Sequence, residues 1–381
     1  MMTTLYDVII KQAKRVDNTL IDIAIQNGRI AAIGAISAPA RHEINLGGRC
    51  YVSAGWIDSH VHCYPASPIY HDEPDRVGVA GGVTSVVDAG STGADHIDDF
   101  YRLTRVAKTR VFALLNIART GIVTQDELAD MSRIDMALAG EAIARHPDFI
   151  IGLKARISSS VVGANGVKPL VRAKMIQRAN GDLPLMVHIG NNPPDLGTIA
   201  ELLTEGDIIT HCYNGKPNRI LTAAGELRAS VRRALKRGVH LDVGHGTASF
   251  SFEVARLAIA QGVYPNTISS DIYCRNRIDG PVHSLAAVMS KFLTLGMTSR
   301  QVIDCVTLHA ATALRLTHKG RLEPGHDADL TLFDFSTEPC VFTDAEGVSV
   351  GGQRRFVPLA AVVGGECLLT DEGKLSHVFN L

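Results

Sequence analysis

An excess of either charge is what this sequence lacks first: 38 Lys and Arg against 39 Asp and Glu leave 381 residues with a formal net charge of −1. Such a balance carries no electrostatic footprint for nucleic acid or for an anionic membrane surface. Long apolar runs are missing too, and with no stretch of about 18 uncharged apolar residues no membrane span is expected. The apolar start is broken by Lys11, Lys14 and Arg15, without the apolar core and small-residue site of a secretory signal. Seven cysteines (Cys50, Cys63, Cys212, Cys274, Cys305, Cys340 and Cys367) have no regular spacing, in a chain too long to need disulfide staples. That usage points to a reduced, cytoplasmic compartment. No internal repeat stands out, and 46% hydrophobic against 20% charged residues excludes intrinsic disorder.

What is present has two textures. The first fifty residues read as short strands joined by polar turns, over 6–11, 22–26, 29–33 and 43–45. From Ile57 onward, short apolar runs bounded by Gly or Pro alternate with stretches of helical period, the signature of repeated βα units. Eight runs end near His62, Asp88, Ile117, Lys154, His188, His211, Gly244 and Asp271. Amphipathic helices are expected between them over 97–108, 126–145, 170–179, 225–237, 252–261 and 282–295, and a last long one over 299–316. Sheet-like alternation returns over 328–335, 360–363 and 366–369. The predicted fold is α/β: a (β/α)8 TIM barrel over 53–320, with a small β-sandwich domain made by both chain termini, 1–52 and 321–381.

Six polar residues fall at or near the C-terminal ends of the predicted barrel strands, where such barrels carry their active sites: His60, His62, Lys154, His188, His211 and Asp271. Residues two apart on a strand point to one side, so His60 and His62 can hold one cation together, while His188 and His211 end neighbouring strands and can hold a second. An ammonium at Lys154 would repel those cations. Two readings are open for it: a protonated lysine paired with Asp271 or Asp88, or a neutral amine that has added carbon dioxide to become a carbamate bridging two metals.

These residues carry a resemblance. The chain resembles the amidohydrolase superfamily, in its subtype with a bridging carboxylated lysine. The match comprises His60-x-His62 in SAGWIDSHVH, the lysine on the fourth strand, histidines on the fifth and sixth, aspartate on the eighth in SSDIY, and the tail GRLEPGHDADLTLFD over 320–334. The resemblance implies two divalent metal ions per chain, best satisfied by zinc. One is held by His60, His62 and Asp271, the other by His188 and His211, with carboxylated Lys154 and a hydroxide between them. It also implies that Asp271 is catalytic, taking the hydroxide proton and delivering it to the leaving atom.

Among relatives, the loops look most like a deacetylase branch near D-aminoacylases and dihydroorotases. This implies removal of an acetyl group from a small acid, an O-acetyl-(R)-hydroxy acid or an N-acetyl-D-amino acid. The chain departs from the D-aminoacylase pattern, in which a cysteine bridges the metals, because Lys154 stands there. A cyclic amidase of the dihydroorotase or hydantoinase kind is the alternative, and a non-catalytic oligomeric scaffold a third. Arg156 is a candidate carboxylate clamp or a partner of a loop acid; Tyr213 is a candidate substrate contact, and His245 a substrate contact or a loop brace. Arg119, Arg275, Arg277, Asn191 and Asn192 also lie in post-strand loops, whereas Cys63 and Cys212 should pack away from the metals. The expected partner is a small acylated acid, with no nucleic acid and no membrane, and a symmetric homo-oligomer is expected.

Overall fold

The computed structural model describes residues 5–379. Five strands open the chain: β1 (Tyr6–Lys14), β2 (Leu20–Gln26), β3 (Arg29–Gly34), β4 (Ala40–Asn45) and β5 (Tyr51–Ala54). Seven more occupy the middle: β6 (Trp56–Val61), β7 (Val83–Ala89), β8 (Arg110–Asn116), β9 (Ile150–Arg156), β10 (Leu185–His188), β11 (Ile208–Thr210) and β12 (His240–Leu241). The last five are β13 (Leu330–Ser336), β14 (Cys340–Thr343), β15 (Ser349–Gly352), β16 (Arg355–Val363) and β17 (Glu366–Leu369).

β6 to β12 form one parallel sheet in chain order. Every residue of β6 and β7 is buried, as expected of parallel strands covered on both faces. The eighth run, ending at Asp271, is not a regular strand. It touches both ends of the sheet through two parallel bridges, Asp242 to Thr267 and Val61 to Ile272. The physical reason lies in its serines. Its backbone still bonds both neighbours, as in Gly246 N to Ser270 O and Asp271 N to His60 O, but Ser269 Oγ accepts from Gly244 N at 2.9 Å and Ser270 Oγ from Ile272 N at 3.1 Å, so two amides are diverted from a regular ladder. Asp271 then enters the left-handed region at φ 51°.

Several expected helices are shorter than their periodicity, and two of them differ most. The 126–145 stretch is helical only over Met136–Arg145, where the Asp135 side chain caps Leu138 N. The 299–316 stretch divides into Ser299–Cys305 and Leu308–Ala313, because the Val306 carbonyl accepts from Ile57 N of β6 at 2.7 Å instead of continuing the helix.

Both chain ends build one sheet, ordered β17-β16-β13-β5-β1-β2-β3 with β4 beside β1. Its own apolar cluster joins Ile10, Ile23 and Val52 to Leu330, Leu332 and Val362. Trp56, Phe333 and Phe356 meet with ring centroids 5.5 to 5.8 Å apart and belong to the cluster around the parallel sheet. The β14–β15 hairpin packs toward that same cluster through Cys340, Phe342 and Val350. No helix among the described residues is long and apolar enough to cross a membrane.

Candidate active site

Six side chains, His60, His62, Lys154, His188, His211 and Asp271, line one cavity of about 170 Å³ at the C-terminal ends of the parallel strands. His62 Nε2 lies 3.1 Å and His60 Nε2 3.4 Å from Asp271 Oδ1. Lys154 Nζ is 3.1 Å from His60 Nε2, and the His188 and His211 rings meet edge to face at 4.4 Å. Donor atoms of His60, His211 and Asp271 all fall within 4.8 Å of one another.

Neighbouring groups aim these rings. Asp242, fully buried, accepts from Thr210 Oγ1 at 2.6 Å, Thr267 Oγ1 at 2.5 Å and Ser269 Oγ at 2.8 Å. Since the Thr210 hydroxyl donates to Asp242, its oxygen receives the His60 Nδ1 proton at 2.9 Å, which leaves Nε2 with a lone pair toward the cavity. His211 Nδ1 donates to the Gly244 carbonyl at 2.6 Å with the same result, and His62 Nδ1 meets Ser91 Oγ at 2.8 Å.

The electrostatics agree with a set of lone-pair donors. Burial holds the His60 and His188 imidazoles below their ordinary values, helped by Lys154 and His211 respectively, and pushes His211 down to about 3. Burial would raise the Asp271 carboxyl, but His60 and His62 outweigh it and hold the group well below the usual carboxylate range. Lys154 is pushed by burial down to about 7 against the pull of Asp271. Among the described residues no carboxylate lies within 4.0 Å of its Nζ, so the ion-paired reading with Asp88 or Asp271 is not realised. Neutral imidazoles, an ionised carboxylate and an amine able to be neutral suit divalent cations.

The backbone adds a sign of its own. His211 at φ 63° and Asp271 at φ 51° occupy the left-handed region that side chains avoid, and both sit among the converging donors.

One expected substrate contact is corrected, and of the two roles left open for His245 the loop brace is the one found. Tyr213 is fully buried, donates its hydroxyl to Val263 O at 2.7 Å and packs against Phe292. The left-handed backbone of His211, at φ 63°, turns the chain just before Tyr213. His245 is also fully buried; its ring stacks on Phe250 at 4.6 Å, and its two nitrogens bond to Gly246 O and Lys291 Nζ. It braces a loop. Arg156 does line the cavity, but two of its nitrogens are committed to buried Glu127 at 2.6 and 2.5 Å. Arg119 pairs with Asp95 and Arg277 with Asp72, both away from the cavity lining; Arg275 is exposed, and Asn191 lines the wall. Cys63 and Cys212 are buried and outside the lining.

Sequence reasoning missed Thr210, Asp242, Tyr70, Tyr273 and Lys216. For Asp242 a signal existed, an acid inside the apolar run VHLDVG. Thr210 ends β11 without any signal of its own, and Tyr70, Tyr273 and Lys216 sit in loops whose course no periodicity encodes.

The Amidohydrolase family matches over residues 51–368. A deacetylase of Enterococcus faecalis is 46% identical over 363 residues, covering 95% of this chain and 98% of that protein. A deacetylase of Agrobacterium fabrum is 36% identical over 90% of this chain and 85% of its own length. Of solved structures, one described as an adenine deaminase superposes with a TM-score of 0.94 at 46% identity, covering 96% of this chain and 100% of that one. Another described as a dihydroorotase gives 0.84 at 34% identity, covering 95% and 98%. Converging donors, parallel strands and near full-length similarity lead to one conclusion: this chain belongs to the amidohydrolase family and is a hydrolase.

Proposed function

We propose that this protein is a metal-dependent deacetylase that removes the acetyl group from a small carboxylic acid, an O-acetyl-(R)-hydroxy acid or an N-acetyl-D-amino acid. The observation that carries the reading is the convergence of four imidazoles, Asp271 and an unpaired Lys154 on one cavity, in a chain 46% identical to a protein named deacetylase. In this reading His60, His62 and Asp271 would hold one cation and His188 and His211 the other, with Lys154, as a carbamate, a further ligand. Zinc suits the imidazole and carboxylate donors. Bound there, divalent cations supply Lewis acidity toward the acyl carbonyl and a water nucleophilic at neutral pH.

The chain's own residues do the rest. Neutral Lys154 is the form that adds carbon dioxide: its nitrogen lone pair bonds the carbon, one C=O electron pair passes to oxygen, and the released N–H proton goes to solvent. Asp271, ionised at neutral pH, accepts the proton of the attacking water on a carboxylate oxygen and passes it to the departing oxygen or nitrogen. Tyr70, resting on His62 at 5.4 Å, and Tyr273, 4.9 Å from Tyr70, wall the cavity beside these groups.

The same reading takes 53–320 as a (β/α)8 barrel whose eighth position is held by the two bridges, and 1–52 with 321–381 as a small β-sandwich domain. All seven cysteines are free, which fits a cytoplasmic home. A homo-oligomer remains part of it, and light scattering tests that.

Acetate release by zinc-loaded protein from O-acetyl-(R)- and (S)-hydroxy acids and N-acetyl-D- and L-amino acids is the direct test. Turnover of one stereochemical class is expected, and Asp271→Asn should lower its kcat by about 10²- to 10⁴-fold with little change in thermal midpoint. The solved structures described as a dihydroorotase and an adenine deaminase favour a second reading, C–N hydrolysis on a ring. Opening of dihydroorotate or ammonia release from adenine, with no acetate from any acyl substrate, would replace the first reading by the second.

A further inference from the structure

Besides Lys154, which the proposed reading takes up as a neutral amine and then a carbamate, the cavity wall holds two cations in unlike circumstances. Arg156 is neutralised: Nε and Nη2 bond to both oxygens of Glu127, Nη2 also reaches the carbonyls of Thr124 and Gln125 at 3.5 and 3.3 Å, and Nη1 donates to Gln125 Oε1 at 3.3 Å. Lys216, in the loop after β11, is half-buried and lines the same cavity. Among the described residues its Nζ has no hydrogen-bond acceptor, and no carboxylate lies within 4.0 Å of it; these partners are absent although its backbone N–H is fixed by Asn214 Oδ1 at 3.0 Å. Its stem passes beside Gly190 toward the His188 side of the donor set: a methyl group placed on Gly190 would lie 3.4 Å from Lys216 Cδ and 3.7 Å from His188 Nε2.

A cation left half-dehydrated without a counter-ion costs free energy unless something else supplies the charge. The Arg156–Glu127 pair cancels itself, so Lys216 is the free positive charge of the cavity wall. We propose that Lys216 is the residue that selects substrates bearing a free carboxylate, receiving that group beside the acyl bond to be cleaved. Of the two roles left open for Arg156, a carboxylate clamp or a partner of a loop acid, the bonds to Glu127 favour the second. The inference rests on the reading of this cavity as the hydrolytic site.

Matched pairs that differ by one carboxylate test it: N-acetyl-D-alanine against its primary amide, O-acetyl-(R)-lactate against its methyl ester, and dihydroorotate against dihydrouracil. The acid of whichever pair is turned over should lead its neutral partner by tenfold or more in kcat/KM. Lys216→Gln should cut that preference at least tenfold, through KM for the acid, while the neutral partner stays within twofold. Lys216→Arg should retain most of the preference. Calorimetric binding of the acid should weaken in parallel, with metal content and thermal midpoint of Lys216→Gln unchanged. A preference that survives in Lys216→Gln, or no preference for the acid in any pair, overturns the proposal. Which pair is turned over speaks to the deacetylase reading separately, since charged and neutral members are compared within acyl and ring substrates alike.

Discussion

At the scale of single residues, the site depends on groups that never reach the cavity. The His60 ring presents Nε2 because its Nδ1–H donates to Thr210 Oγ1, and Asp242, by accepting the threonine hydroxyl, keeps that hydroxyl's own hydrogen turned away from His60. Asp242 is kept ionised, against its burial, by His60 and the hydroxyls of Thr210 and Thr267. Replacing Thr210 by Val removes the acceptor of the His60 proton without adding charge. Metal affinity or activity should fall by about 10- to 100-fold, read as zinc content after dialysis against a chelator and as kcat. Full zinc retention and normal kcat in Thr210→Val would show that His60 orients itself without this chain of bonds. Lys154 offers a sharper case, since its amine has no acid partner. Lys154→Ala should lower metal content per chain and abolish turnover, and short carboxylic acids added at millimolar levels should restore part of both if the missing ligand is a carbamate. An unchanged metal content would leave Lys154 as a packing residue.

At the scale of elements, the loops after the strands set the site's tolerance. Gly246, at φ 55°, lies just beyond the β12 run, and a Cβ there would come 2.3 Å from Asp271 Oδ2. Gly246→Ala therefore strains its own backbone and pushes the carboxylate away from His60 and His62. Activity should fall by about 100-fold or more while far-ultraviolet circular dichroism stays native; kcat within threefold of the parent would mean that Asp271 has room the geometry denies. This level also shows how much could be read in advance. Seven parallel strands were legible because runs such as VTSVVDA are buried on both faces and bounded by turn residues. The chemistry was legible because polar residues in otherwise apolar strands stand out, as His60 and Lys154 do. Hidden were the places where a side chain diverts an amide from the backbone ladder, as Ser269 and Ser270 do, or where a positive φ turns the chain, as at His211 before Tyr213. Neither leaves a period in the sequence. Lys216 escaped for a related reason: only folding shows that its loop carries no acid to meet it.

At the scale of the whole molecule, Lys291 ties distant parts together. It lies on the helix Leu285–Thr294, is 1% exposed, and donates to His245 Nε2 at 2.7 Å, Pro281 O at 2.9 Å and Thr343 O at 2.8 Å. Those contacts join a helix behind the parallel sheet, the loop before it, the β14–β15 hairpin and the brace beside Gly246. No carboxylate bonds to it among the described residues, and burial pushes its amine down to about 7, with Asp344 pulling weakly the other way. In the unfolded chain a lysine keeps its proton up to about 10.4. Between these values the unfolded state binds a proton that the folded state has released, so the slope of unfolding free energy against pH is positive there. The burden of a buried ammonium is thus fully present below pH 7 and is relieved as the pH rises toward 10. Urea unfolding of the metal-loaded protein and of Lys291→Met, at steps from pH 6.5 to 9.5, isolates this contribution. The parent's stability minus the variant's should be flat below pH 7 and climb above it, by at most about 1.4 kcal/mol per pH unit. A difference that stays flat across the range, or falls, would mean that the folded protein keeps Lys291 charged. The three acceptors would then hold an ammonium throughout, and the joint between helix, hairpin and site loop would be insensitive to pH.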